Sequence, residues 1–145
     1  MTEAAVGIRP ARPADREALW PLLGALAITF KPERAAFDSA FDALLTDPDA
    51  LVLVAKMPEL GVVGYLVAYR EMTLLANGPA VWVGELIVAD RVRRTGVGRA
   101  LMARAEEWSR ERGAAQVALA TSRASEFYRA LGYADAAIYL RKRLR

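Results

Sequence analysis

Cysteine and histidine are both absent from the 145 residues of this chain. Without cysteine there is no disulfide framework, no thiolate nucleophile and no cysteine-ligated metal site. Without histidine, the commonest general base and the commonest metal ligand are both missing. The remaining candidate ligands are carboxylates, and they show no calcium-loop spacing. We therefore expect no metal cofactor and no acyl intermediate on sulfur or imidazole.

Long apolar runs are also absent. No stretch approaches a membrane span, and the residues after Met1 contain no apolar core that resembles a signal peptide. We therefore expect a soluble, cytoplasmic protein with no membrane partner. With 145 residues, 54% of them hydrophobic, the chain can form one complete core but not two comfortable domains. The sequence predicts a single domain over residues 1–145.

The charge balance is mildly basic. The chain has 20 Lys and Arg against 17 Asp and Glu, a formal net charge of +3 at pH 7. Such a balance suits an anionic ligand, and it would equally suit nucleic acid.

A strand, a glycine turn and a helix follow one another within residues 84–101. The apolar run 86–88 is typical of a buried strand, and the residues after Gly96 have one apolar helical face. Free N–H groups in such a turn and in the first helical turn, together with the helix dipole, can bind an anionic phosphate. Glycine at 96 and 98 would let a ligand approach the backbone closely.

Two common phosphate-binding turns do not fit this stretch. A nucleotide P-loop needs a Gly-Lys pair, and the chain contains none. A dinucleotide-binding turn needs a third glycine where Leu101 stands. The run 93–98 instead fits a turn with a long polar side chain three residues before the first glycine. An ordinary strand-to-helix connection with a glycine at its start is the remaining structural alternative.

Hydrophobic periodicity predicts an α/β (α+β) chain with the element order β-α-α-β-β-β-α-β-α-β. The predicted strands cover residues 6–10, 50–55, 62–73, 80–88, 116–120 and 133–144. Short turns join the second, third and fourth strands, which predicts antiparallel neighbours. The long helical crossover between the fourth and fifth strands predicts parallel pairing.

The turn at 93–98 resembles the pyrophosphate-binding turn of the GNAT superfamily, the acyl-CoA-dependent N-acetyltransferases, which reads Arg/Gln-x-x-Gly-x-Gly/Ala. The run Ala124–Tyr133 is similar to that family's Ala-x-x-Phe-Tyr-x-x-x-Gly-Phe/Tyr in the last helix. The predicted element order is that of the GNAT fold, so the resemblance covers nearly the whole chain. It implies a mixed, mostly antiparallel sheet whose fourth and fifth strands splay apart.

The resemblance implies acetyl-CoA as the cosubstrate. The pantetheine arm would pair, like an added strand, with the backbone of Leu86, Ile87 and Val88. The pyrophosphate would bind the turn residues Arg93, Arg94, Thr95, Gly96, Val97, Gly98 and Arg99. Thr121 stands where many members have an asparagine near the pantetheine, and its hydroxyl can make one such hydrogen bond.

The resemblance also implies the catalytic groups. Tyr128 would be the general acid that protonates the departing CoA thiolate. A backbone N–H near Val88 would polarise the thioester carbonyl. Glu85 is the candidate general base and would act through a water, because a carboxylate is a far weaker base than an amine. An outward-facing strand glutamate remains the alternative for Glu85, and a phenol that caps a buried carbonyl remains the alternative for Tyr128.

We therefore expect transfer of an acetyl group from acetyl-CoA to a primary amine by direct attack in a ternary complex. No sequence feature identifies the acceptor, which could be a small molecule or a peptide. The candidate acceptor contacts lie on the loop between the first two helices and on the third and fourth strands: Thr29, Phe30, Tyr65, Tyr69, Glu71 and Trp82.

Two other functions compete with catalysis. A non-catalytic acyl-CoA sensor would use the same cofactor site. Arginines around the turn and in the tail 141–145 could instead bind nucleic acid, but no recognition strand or helix-turn-helix accompanies them, so we expect no such partner. Many family members have a further hairpin where this sequence has a single final strand, so the resemblance does not carry over the acceptor-site wall or a strand-mediated dimer, and a homodimer stays an open alternative.

Overall fold

The computed structural model describes residues 5–26 and 30–145. Helices and strands alternate much as the periodicity predicts. In the described ranges the elements are β1 (Gly7–Pro10), α1 (Arg16–Leu26), α2 (Arg34–Thr46), β2 (Ala50–Met57), β3 (Gly61–Glu71), β4 (Ala80–Val88), α3 (Val97–Glu111), β5 (Gln116–Leu119) and α4 (Ser125–Ala130). Short 3₁₀ turns at Pro13–Asp15 and Asp90–Val92 precede α1 and α3.

The strands form one sheet in the order β1-β2-β3-β4-β5. The first three pairings are antiparallel, and β4 pairs with β5 in parallel. Both orientations are as predicted, because hairpin turns reverse the chain whereas α3 carries it back to the same end of the sheet. The sheet is therefore mixed and mostly antiparallel, and its five strands follow the order that the sequence predicts.

Two apolar clusters pack on the sheet, one with α3 and one with α1 and α2. The stripe predicted for α3 is buried, and Leu101 and Ala105 have no exposed surface. The α3 cluster includes Leu53, Leu66, Ala68, Val81, Val83, Val97, Leu101, Met102, Ala105 and Trp108. The other cluster contains Leu19, Phe41, Val52, Val54, Tyr65, Val67 and Ile87.

The pairing of β4 with β5 ends early, as the family resemblance implies. The last paired residues are Val83 and Leu119, whereas β4 continues to Val88. Opposite this point the register of β3 and β4 shifts between Val67 and Ala68, which makes Gly84 an extra residue in β4. Such a bulge bends the strand and increases its twist. Within the described residues, one edge of 84–88 therefore has no neighbouring strand.

The predicted final strand over residues 133–144 is not formed. In the described part of the chain, no backbone hydrogen bond joins residues 134–145 to β5. The ring of Tyr139 instead stacks on Trp82, with centroids 6.2 Å apart. The predicted strand is therefore wrong: the contacts found for this segment are with aromatic side chains such as Trp82, and not ladder hydrogen bonds with β5.

Neither a membrane span nor a metal cluster is found within residues 5–26 and 30–145. None of the helices there is both long and apolar enough to cross a bilayer. The described carboxylates come together nowhere in a group of three or more that could hold a metal ion.

Truncation of a core leucine tests this packing. Leu66 has 0% exposure in the α3 cluster, so Leu66→Ala should lower the free energy of unfolding by about 2–5 kcal/mol through lost burial and a residual cavity. The matched control is Leu75→Ala, because Leu75 is 92% exposed and its truncation should change little. Urea denaturation followed by circular dichroism measures both. Equal stability of the two variants would contradict the described core.

Candidate active site

The turn before α3 has a backbone shape that favours glycine at one position. Gly96 caps the helix with φ 90°, and Arg94 also lies in the left-handed region with φ 65°. A Cβ on Gly96 would meet no atom within 4 Å, so conformation and not space requires glycine there. The Thr95 hydroxyl donates to the carbonyl of Val92, and Arg93 pairs with Asp90 at 2.8 Å. Local contacts therefore hold this turn.

The start of α3 presents backbone donors. The first hydrogen bond into the helix runs from the N–H of Ala100 to the carbonyl of Gly96 at 3.0 Å. The N–H groups of residues 97–99 precede it and have no acceptor within the helix. Arg94 and Arg99 are exposed beside them, and none of the ion pairs in the described ranges involves either residue. Free donors, the helix dipole and two cations together suit a phosphate group.

Gly98 connects this turn to the last helix. A Cβ built on Gly98 would lie 3.2 Å from Cζ of Phe127 and 3.7 Å from Cγ2 of Val88. Glycine at 98 thus makes room for the Phe127 ring as well as for a ligand. This contact between Gly98 and Phe127 is not evident from the sequence. It brings the end of β4, the start of α3 and α4 to one place.

Tyr128 lies directly beside this contact. The Tyr128 ring contacts the Phe127 and Tyr133 rings edge-on, and the ring centroids are 4.9 and 6.0 Å apart, respectively. Tyr128 is partly buried against the α3 cluster. Burial raises the pKa of the Tyr128 phenol above its ordinary value. The hydroxyl is therefore protonated at neutral pH and can act as a proton donor.

The unpaired edge of β4 lies between Tyr128, which is on the α3 face of the sheet, and the opposite face. The N–H of Ala89 donates to Val63 at 2.8 Å, towards β3. Hydrogen-bonding direction alternates along an antiparallel strand, so the N–H of Val88 points to the other edge. That edge has no β5 beside it, because β5 ends at Leu119. The Val88 N–H can therefore reach a ligand in the opening.

Glu85 is partly buried rather than fully outward-facing. The Tyr65 hydroxyl donates to Oε1 of Glu85 at 2.7 Å, across 20 residues of sequence. Tyr65 is 3% exposed, and its burial, followed by the charge of Glu85, raises the pKa of its phenol. Burial and then Glu85 likewise raise the pKa of Tyr69. Both tyrosines therefore stay neutral beside a carboxylate whose position the Tyr65 hydroxyl restrains.

Glu85 and Tyr128 lie on opposite faces of the sheet. Tyr65, the partner of Glu85, belongs to the cluster under α1 and α2. Tyr128 packs against the cluster under α3. The opening along residues 84–88 separates them, so a group held there could be approached from one face while a leaving group departs on the other.

A cavity of about 1480 Å³ lies beside β5. Tyr128, Thr121, Gly84 and Tyr139 are among the residues that line it, whereas the turn at 93–98 is outside it. The Thr121 hydroxyl accepts a hydrogen bond from the N–H of Ala124 at 3.0 Å and keeps its own proton for a ligand. The cavity therefore adjoins the opening but extends well beyond it along the outer edge of β5.

The predicted acceptor residues divide into near and distant groups. Tyr65 and Tyr69 approach Glu85, and Trp82 pairs opposite Tyr69 in the ladder. Glu71 pairs with Ala80, which is about 26 Å along β4 from Val88 and therefore away from the opening. Thr29 lies outside the described residues.

The C-terminal residues supply contacts that sequence reasoning missed. Tyr139 covers Trp82, and the guanidinium groups of Arg141 and Arg143 lie 5.8 and 4.9 Å from the ring centroid of Phe30. Residues 139, 141 and 143 would share one side of an extended chain, so their alternation could have indicated a common contact face.

Comparisons with known proteins agree with this geometry. A family model described as the acetyltransferase (GNAT) family matches residues 17–133. A search of the curated proteins finds no significant match. Among solved structures, a transcriptional regulator from Bacillus halodurans C-125 has a TM-score of 0.88 and 24% identity, with 97% of this chain and 100% of that chain covered.

Two acetyltransferase structures are similar as well. Glucosamine-6-phosphate N-acetyltransferase from Arabidopsis thaliana has a TM-score of 0.85 and 22% identity, covering 97% of this chain and 99% of that chain. AAC(6')-Iy in complex with the bisubstrate analogue CoA-S-monomethyl-acetylneamine has a TM-score of 0.81 and 21% identity, with the same coverage of 97% and 99%. At identities below 25%, this structural likeness shows a shared fold alone, and it confirms the predicted GNAT fold. Because the family model spans most of the chain, the chain belongs to the acetyltransferase (GNAT) family.

Proposed function

We propose that this chain transfers an acetyl group from acetyl-CoA to a primary amine by direct attack within a ternary complex. One observation supports this most strongly. The opening beside residues 84–88 has a phosphate-type helix start at one end, with Tyr128 on one face of the sheet and Glu85 on the other. An acyl carrier with a pyrophosphate and a thioester needs this combination of groups.

The donor would bind along β4. Its pyrophosphate accepts hydrogen bonds from the N–H groups of residues 97–99, with Arg94 and Arg99 nearby. Its pantetheine arm lies along the free edge of residues 86–88 in the manner of an added strand. Thr121 lines the adjoining cavity and can donate its hydroxyl proton to the arm. AAC(6')-Iy, which has the same fold, holds a CoA-linked analogue in its structure.

The leaving group departs towards Tyr128. Attack of the amine on the thioester carbonyl forms a tetrahedral oxyanion, which the N–H of Val88 can stabilise. The carbon–sulfur bond then breaks, and the Tyr128 hydroxyl gives its proton to the thiolate. The raised pKa of Tyr128 keeps that proton on the phenol until the thiolate develops. Because the chain has no cysteine and no histidine, neither can carry the acetyl group in an earlier step.

The attacking amine must lose a proton, and it would do so on the face of the sheet opposite to Tyr128. An alkyl amine has a pKa of about 10.4, so its deprotonation at pH 7 costs about 4–5 kcal/mol. Glu85 is the carboxylate at this position, and the Tyr65 hydroxyl orients it. We assign it the role of general base, acting through a water. Its negative charge would also attract the ammonium form of the acceptor.

The acceptor would enter from the face that carries Glu85. Tyr69, Trp82 and Tyr139 form aromatic walls there, and Phe30 is exposed nearby under Arg141. The acceptor is an amine-bearing small molecule or peptide. A thiol-release assay with acetyl-CoA across a panel of amines tests activity and acceptor class together. Binding of acetyl-CoA without thiol release for any amine would indicate an acyl-CoA sensor instead.

Charge reversal at the helix start tests donor binding. Acetyl-CoA should raise the melting temperature of the protein, and Arg99→Glu should weaken acetyl-CoA binding by about tenfold because it puts a negative charge beside the pyrophosphate. Arg99 is exposed, so the unliganded stability should be unchanged. Lys56→Glu is the matched control, an exposed charge reversal on β2. Equal binding by the two variants, measured by titration calorimetry, would argue against this turn as the pyrophosphate site.

Removal of one hydroxyl tests the general acid. Tyr128→Phe should keep acetyl-CoA binding but lower kcat by more than about tenfold, because the thiolate then leaves unprotonated. Since burial raises the Tyr128 pKa above 10.0, its ionisation should reduce wild-type kcat only as the pH rises beyond that value. The control is Tyr133→Phe, which removes a hydroxyl from the neighbouring tyrosine, because the Tyr133 hydroxyl is already engaged as a donor to Glu106 at 2.8 Å. An unchanged kcat for Tyr128→Phe would exclude the phenol from the mechanism.

Neutralisation of the candidate base tests the other proton transfer. Glu85→Gln should lower kcat/KM at pH 7 by about 10²-fold or more, and the deficit should shrink towards pH 10 as solvent deprotonates the amine. Glu71→Gln removes an equivalent charge at the far end of β3 and should have no comparable effect. A deficit for Glu85→Gln that stays constant with pH would point to binding rather than to base catalysis.

A further inference from the structure

Two tyrosines of β3 flank Glu85 in the sheet, and they differ in their hydrogen bonding. Glu85 pairs opposite Val67, so Tyr65 and Tyr69 are its diagonal neighbours on the same face. Tyr65 is buried and donates to Oε1 of Glu85 at 2.7 Å. Tyr69 is half-buried, and within the described residues its hydroxyl makes no hydrogen bond and is not among the buried polar atoms. The Tyr69 hydroxyl is therefore open to solvent beside the candidate base.

The bulge at Gly84 holds the Tyr69 ring against β4. A Cβ built on Gly84 would lie 2.9 Å from Cε2 of Tyr69 and 3.8 Å from Cζ, the carbon that carries the hydroxyl. Two carbon atoms do not approach to 2.9 Å without strong repulsion, so a side chain at position 84 would displace the ring. Glycine at 84 therefore lets the hydroxyl lie beside the next residue of the strand, Glu85.

The charge of Glu85 reaches the Tyr69 phenol. Burial, followed by this charge, raises the pKa of the Tyr69 phenol above its ordinary value. The phenol therefore keeps its proton at neutral pH. A neutral phenol both donates and accepts hydrogen bonds, so Tyr69 is suited to hold a water rather than to carry a proton.

We propose that Tyr69 is a positioning residue for acetyl transfer: its hydroxyl and Oε2 of Glu85 together hold the water through which the acceptor amine loses its proton. Tyr65 occupies Oε1, so Oε2 is the carboxylate oxygen that remains for this water. A water that bridges two protein groups is ordered by both of them. The inference rests on the proposed function and names the residue that orients its proton transfer.

One proton leaves the acceptor in this step. The N–H bond of the ammonium breaks as the water oxygen takes that proton, and the water gives one of its own protons to Oε2 of Glu85. The water is then unchanged, and the nitrogen has a free electron pair with which to attack the thioester carbon. Glu85 later loses the proton to solvent. Tyr69 exchanges no proton, and its contribution is the orientation of the water.

Two other roles compete for Tyr69, a direct contact with the acceptor and an aromatic wall. A direct hydrogen bond to the acceptor would act on binding and therefore on KM, whereas orientation of the water acts on kcat. An aromatic wall needs only the ring, so loss of the hydroxyl would change neither. The position of the hydroxyl beside a carboxylate that Tyr65 already restrains favours the water.

Removal of the Tyr69 hydroxyl tests this role. Tyr69→Phe keeps the ring against Gly84 and should lower kcat by about tenfold, with unchanged acetyl-CoA binding and an unchanged KM for the acceptor. The matched control, Tyr133→Phe, should keep the wild-type kcat, because the Tyr133 hydroxyl is engaged with Glu106.

Three outcomes of this experiment would contradict the proposal in different ways. A wild-type kcat for Tyr69→Phe would overturn the role of the hydroxyl. A raised KM with an unchanged kcat would show a direct contact with the acceptor instead. A wild-type protein that releases no thiol with any amine would overturn the proposed function itself, and this inference with it.

A double-mutant cycle shows whether Tyr69 acts through Glu85. Once Glu85→Gln has removed the proton acceptor, Tyr69→Phe should lower kcat by less than about twofold more, because both groups act on one water. Deficits that multiply would show that the two residues act independently and would overturn the proposal.

Displacement of the ring gives a second test. Gly84→Ala should lower kcat by about the same factor as Tyr69→Phe, and addition of Tyr69→Phe to it should lower kcat little further. Gly7→Ala on β1 is the matched control, because the nearest atom to its Cβ would be 3.7 Å away. A Gly84→Ala protein with the kcat of this control would contradict the proposed placement of Tyr69.

Discussion

The early end of the β4–β5 pairing is the constraint on which the candidate site depends. Parallel pairing stops at Val83 and Leu119, and β4 continues past it with one edge unpaired. The extra residue at Gly84 bends the strand at the same point, and a Cβ there would come within 2.9 Å of the Tyr69 ring. An unpaired strand edge inside a protein is costly unless something else satisfies its N–H and C=O groups. A ligand with an extended polar arm can do so, and this is the physical reason why we propose the opening as a binding site.

The start of α3 and the short α4 are packed as one unit around this opening. Gly98 allows the Phe127 ring to rest on the first turn of α3, and Tyr128 follows directly in the chain. The groups that we propose for the phosphate and for the departing sulfur are therefore positioned by a common contact. On the other face, the Tyr65 hydroxyl restrains Glu85, and the buried tyrosines keep their protons. The two faces offer an acid and a carboxylate without competition between them, since the sheet separates the two groups.

In the described part of the chain, the sheet also has an unpaired edge at β5. The last strand, β5, is short and open on its outer side, and the segment after α4 passes it without pairing. Open edges and exposed aliphatic residues both favour association with another chain.

The sequence by itself determined the local structure. Apolar periodicity predicts the strands up to β5 and the four helices, loop lengths predict their relative directions, and the run 93–98 predicts a glycine turn between β4 and α3. These features depend on neighbouring residues and on backbone conformation, so a sequence pattern can reveal them. The tertiary structure alone decided which distant side chains meet: Glu85 with Tyr65, Phe127 with Gly98 and Tyr139 with Trp82. Long-range contacts also left residues 133–144 without a strand partner. Register, bulges and packing are set by the whole sheet and not by any local pattern.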